Sequence, residues 1–161
     1  MDRFRRASSY ILAYLLWIVS TGLGILALYY VREAYLLSLA VAAFKRSDRP
    51  PAELFDQAMR ARAADQWSLL VVGILTIVLI VYLEHLYRSG VPSGSLWARF
   101  SLVSALEIGV LFLANAIYFS NEGQIRPVVG KVVYILTFEA LLIGLFLWLW
   151  LYIRRKKTSA I

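Results

Sequence analysis

Glu107 and Glu139 are the residues of this chain whose surroundings make their chemistry matter. Each lies near the middle of a long apolar run, FSLVSALEIGVLFLANAIYF at 100–119 and VVYILTFEALLIGLFLWLWLY at 132–152. An acidic side chain that deep in hydrocarbon costs at least ~2.5 kcal/mol on insertion scales, so it must be neutral, paired or reached by a cavity. No Lys or Arg occupies the middle of an apolar run, so the chain offers no counter-ion there. A protonated Glu donates one hydrogen bond and still accepts others, which suits two roles. One is interhelical glue. The other is a buried polar centre that relays protons or binds a cation. On the third run Ser104, Glu107 and Leu111 share a helical face with Ala114, and Asn115 borders it. Glu107, Glu139, Asn115 and Ser104 are therefore the candidate ligand or ion-pathway residues.

Other chemistries find little to work with. The chain has no cysteine, which removes disulfides, thiolate metal sites and thiol catalysis. A single histidine, His85, cannot build a zinc site or a bis-histidine haem. One axial bond to a pigment or haem, or a quinone site among the aromatics, is the third option it leaves. Its place beside Glu84 at the end of an apolar run reads more simply as a residue at headgroup level. No G-x-S-x-G elbow, P-loop or dinucleotide-binding glycine pattern occurs. The expectation is a protein that is not an enzyme, with no metal and no cofactor.

The elements that would position the two carboxyls follow from hydropathy. The 161 residues are 61% hydrophobic, with mean hydropathy +0.69, and apolar runs recur at 10–30, 68–83, 100–119 and 132–152. Backbone N–H and C=O groups in lipid must pair within their own segment, so each run has to be a helix. At about 1.5 Å per residue, roughly 20 residues cross the ~30 Å apolar core. The fold class expected is an all-α integral membrane protein, a four-transmembrane-helix bundle formed as one domain over 1–161. Its spans fall at 10–30, 68–87, 99–119 and 130–152. Trp and Tyr residues such as Trp17, Tyr30, Trp67, Tyr87, Trp97, Tyr118 and Trp148 cluster near those limits, as interfacial belts do.

Two features break the regularity. Nothing between Tyr10 and Phe44 stops a helix except Gly22 and Gly24, which membrane helices tolerate. A helix over 10–44 would be about 52 Å long, overlong for the bilayer, with Arg32 and Glu33 near the far interface. The apolar turns beyond them need cover, which makes Tyr35, Leu36, Leu39 and Phe44 the candidate partner contacts. Second, KRSDRPP at 45–51 is a break that Pro can also restart. The stretch after it sets Leu54, Phe55, Ala58 and Met59 on one side and Glu53, Asp56, Gln57 and Arg60 on the other. That pattern predicts a short interfacial helix at 51–65 leading into the second span.

The net charge of +7 sits at segment ends, which marks topology determinants and lipid-headgroup contacts rather than a nucleic-acid surface. Arg3, Arg5 and Arg6 precede the first run and Arg154, Arg155, Lys156 and Lys157 follow the last, so both termini are expected on the cytoplasmic side. The first run is longer than a signal-peptide core and no A-x-A-like site follows, so it reads as a retained anchor. A prokaryotic plasma membrane is the expected location. The function expected is a non-catalytic accessory or scaffold subunit of a larger membrane assembly, in contact with other membrane subunits or with itself. The rival is a small, homo-oligomeric proton- or cation-coupled transporter or channel built on the midplane carboxylates.

Overall fold

The computed structural model describes residues 2–44, 51–123 and 129–158. They form α1 (Asp2–Phe44), α2 (Pro51–Gly90), α3 (Leu96–Glu122) and α4 (Val129–Thr158). Each of the four is long and apolar enough to cross a membrane. Large apolar side chains cover their outer faces, among them Ile11, Ile18, Ile77, Val81, Leu106, Leu113, Leu141 and Leu145. Surface of that kind is stable in lipid and untenable in water.

α1 runs unbroken for 43 residues, as its uninterrupted sequence predicts. α2 departs from expectation. The separate interfacial helix at 51–65 does not exist, because those residues are the first turns of one 40-residue α2. Pro51 takes the first helical position, where its missing N–H costs nothing. After it come Ala58, Ala61, Ala63 and Ala64, the strongest helix formers available, with no Gly or Pro before Gly73. Amphipathicity there implied a change of direction. The backbone had no reason to make one. The break expected at 45–50 lies outside the described residues.

α2 stops where Pro92 disfavours helical backbone at Val91 and Gly94 takes φ +58°. The turn is tied by Gly94 N–H to Val91 O and Ser95 N–H to Gly90 O, both at 3.2 Å. Arg99, from the first turn of α3, reaches back to cap α2, donating to Leu86 O at 2.5 Å and to Ser89 Oγ at 2.6 Å.

The bundle is open. α1 packs against α2 and α3, and α3 against α1 and α4; α2 meets α3 only briefly, and α4 touches neither α1 nor α2. The order across the molecule is α2, α1, α3, α4. On α1 the inward stripe is Ala13, Ser20, Ala27, Ala34 and Val41, five buried residues at seven-residue spacing. Small side chains at that period let helix backbones approach closely, the main source of packing energy where lipid is as apolar as Leu. At the end that carries the α2–α3 turn, Ala13, Leu16, Leu83, Tyr87 and Leu96 make the hydrophobic core, with Trp17, Leu79 and Phe100 packed around it.

Candidate functional site

Polar side chains at depth fall into separate neighbourhoods. In the first, α1 is tied to α2 by a 2.6 Å hydrogen bond between the Ser20 and Tyr87 hydroxyls, both fully buried. Trp17 Nε1–H donates to the Ile80 carbonyl at 3.1 Å. These are the partners that an indole N–H and a phenol need away from water.

The second neighbourhood begins about one turn further along α1, at Gly24. α2 leans away from α3 and opens a lateral groove of about 310 Å³. Gly24, Ala27 and Leu28 of α1, Leu75, Val78, Leu79 and Tyr82 of α2, and Leu106, Glu107 and Val110 of α3 line it. Glu107 is only 8 % exposed, and neither carboxyl oxygen has a hydrogen-bond partner among the described groups. Gly24 is the reason the carboxyl fits. A Cβ there would run into the Leu79 side chain and lie 3.1 Å from Glu107 Oε1. Every other wall of the groove is apolar apart from the Tyr82 phenol.

The third is the seam between α3 and α4. Asn115 Nδ2–H donates to Glu139 Oε1 at 2.6 Å, with both side chains buried. Glu139 Oε2 has no partner among the described groups. Phe100 and Phe146 pack edge to face in the same seam, their centroids 5.9 Å apart.

Of the four residues singled out by sequence, the structure joins Asn115 with Glu139 and leaves Glu107 and Ser104 apart from them. Glu107 and Asn115 are separated by eight residues, about 12 Å along α3. Ser104 is fully buried, its hydroxyl without a partner among the described groups. His85 is exposed. No cluster of three or more His, Cys, Asp or Glu capable of holding a metal occurs among the described residues. One carboxyl therefore lies buried and unpaired behind the apolar wall of an open groove, while the other is engaged between two helices.

At the opposite end of the bundle Arg32 bonds to Glu33 at 2.9 Å and forms an ion pair with Asp65 of α2. Beyond that pair α1 and α2 both continue, by twelve and fourteen residues. α1 is half covered there. Ala34 and Val41 are buried, and Asn121 Nδ2–H of α3 donates to Ser38 Oγ at 2.7 Å. Of the candidate partner contacts, Tyr35 and Leu39 are exposed and Leu36 is half-buried; the Phe44 side chain lies outside the described ones. A second groove of about 400 Å³ runs beside Tyr35 and Ser38, between α1 and the Leu113–Ile117 turn of α3. On α2, Phe55 and Met59 are exposed, and Asp56 pairs with Arg60 at 2.7 Å. The Ser20–Tyr87 and Ser38–Asn121 bonds escaped sequence reasoning. The seven-residue recurrence of Ala and Ser along α1 is the signal that marks the inward face.

No protein-family model, curated protein or solved structure matches this chain.

Proposed function

We propose that this protein is a non-catalytic accessory or scaffold subunit, docking another membrane protein at the end of the bundle that carries the Arg32–Asp65 pair. What supports this reading is exposed apolar surface on turns that a span counted from Tyr10 leaves beyond the lipid. Counting about 20 residues from Tyr10 puts the far interface near Arg32, where charged side chains belong. Leu39 then stands about 10 Å beyond it, and Met59 and Phe55 about 9 and 15 Å beyond Asp65. Phe55 is 71 % and Met59 53 % exposed. Paired apolar surface on two projecting helices is what a protein interface covers. The partner contacts are Tyr35, Leu36 and Leu39, together with Phe55 and Met59.

Purification from native membranes in mild detergent tests this. A stoichiometric partner should co-migrate with the wild-type chain and be lost from a Phe55→Ser, Met59→Ser double variant that remains folded. A lone monomer from wild-type membranes overturns the proposal. The transporter reading would take its place if Glu107→Gln, folded and inserted, abolished a pH-dependent flux that wild-type protein shows in liposomes.

A further inference from the structure

The two ends of the bundle hold their cations differently. At one end Arg32 pairs with Glu33 and Asp65, and Arg60 with Asp56. At the other, beside the α2–α3 turn, α4 runs out through Arg154, Arg155 and Lys156 with no acid after Glu139, and α3 begins with none before Glu107. We infer that the last turns of α4 form a binding site for an anionic phospholipid, one whose phosphodiester carries no ammonium to balance it. Arg154, Arg155 and Lys156 hold its headgroup.

Placement comes first. Phe100 and Phe146 set α3 and α4 side by side, their ring centroids 5.9 Å apart. Arg154 lies about 12 Å past Phe146, whereas α3 starts only about 6 Å before Phe100. The basic residues thus stand about a turn beyond the start of α3, on a helix that neither α1 nor α2 touches. Depth comes second. Trp148 and Tyr152 are 61 % and 52 % exposed and stack at 5.6 Å, their planes 16° apart. Rings with an apolar body and a polar edge lodge at headgroup level. Arg154, Arg155 and Lys156, all exposed, follow within about one turn of Tyr152, at the height of the lipid phosphates. Orientation comes third. The Arg154 guanidinium sits over the Trp150 ring, 5.3 Å from its centroid. Stacking fixes the plane of that fork, and its N–H donors match two oxygens of one phosphate. Charge comes last. Each cation at an anionic lipid surface strengthens attachment about fivefold. A phosphatidylcholine or phosphatidylethanolamine headgroup brings its own ammonium against the same three cations and forfeits that gain. A soluble phosphate would leave unused the exposed apolar flank of Leu147 and Leu151, which an acyl chain covers.

Native mass spectrometry of the protein released from a non-ionic detergent tests this, with equimolar phosphatidylglycerol and phosphatidylcholine of identical acyl chains. The first lipid retained should be phosphatidylglycerol, by roughly tenfold or more. Arg154→Gln combined with Arg155→Gln should bring the two lipids close to parity. Arg154→Lys keeps the charge but loses the stacked fork, and should reduce the preference roughly threefold. Arg60→Gln combined with Arg62→Gln removes the same charge from the opposite end and should leave the preference unchanged. All four arginines are exposed, and circular dichroism checks that each variant keeps its helices. Four results overturn the proposal: equal uptake of the two lipids by wild type, a preference that survives the Arg154, Arg155 change, an equal loss in the Arg60, Arg62 pair, or Arg154→Lys indistinguishable from wild type. Displacement of bound phosphatidylglycerol by excess glycerol 3-phosphate would also overturn it, assigning the site to a soluble phosphate. The site lies at the end opposite the proposed partner surface, so the outcome for either leaves the other untouched.

Discussion

Glu107 and Glu139 are the same residue type, each buried within a long apolar helix, yet their surroundings differ in kind. Glu139 faces a helix that offers an amide, and Asn115 donates to it at 2.6 Å. Glu107 faces Gly24 and an apolar groove that offer it nothing. The cost of a membrane carboxyl is therefore decided by the helix opposite, not by the helix that carries it. A packed seam turns the acid into glue, whereas an apolar groove wall leaves it without a bond.

The comparison predicts opposite signs for matched substitutions, readable by unfolding of the protein in bicelles. Glu107→Leu removes a buried carboxyl that makes no bond, so it should raise stability by about 2.5 kcal/mol, the central insertion cost of an acid. Asn115→Leu strips Glu139 of its donor and should lower stability by about 2 kcal/mol. A double Asn115→Leu, Glu139→Leu variant should recover most of that loss, because no orphaned group remains. If both single changes acted in the same direction, the distinction between the two sites would collapse. Gly24→Ala probes the wall itself. Its Cβ must displace the flexible end of Leu79 and crowd Glu107, at a cost of about 1 kcal/mol. The smallest effect is expected at Tyr87→Phe, about 0.6 kcal/mol, the average for an interhelical hydrogen bond in a membrane protein. That loss should vanish in a Ser20→Ala background.

Hydropathy alone exposes the four spans because each apolar run has only one conformation open to it in lipid. The long α1 was legible for the same reason. α2 was misread at 51–65, where alternating charge and apolarity suggested a helix lying on the membrane while Ala-rich propensity carried the backbone straight through. Glu107, Asn115 and Glu139 could be picked out because acids and amides are rare at depth. Their grouping could not, because Asn115 and Glu139 belong to different helices whose register is set by packing. The partners of Ser20 and Ser38 were not legible, since a hydroxyl reveals its role only when Tyr87 or Asn121 arrives opposite.

Composition and length by themselves determined that the chain forms four helices long and apolar enough to cross a membrane, because an unpaired peptide group in hydrocarbon costs more than any local preference can repay. Tertiary structure alone decided that the bundle is open, that α2 leans off α3, and that one carboxyl is satisfied while its counterpart is not. Those outcomes depend on which small residues let two backbones touch, and contact between helices is a property of pairs that no single segment encodes.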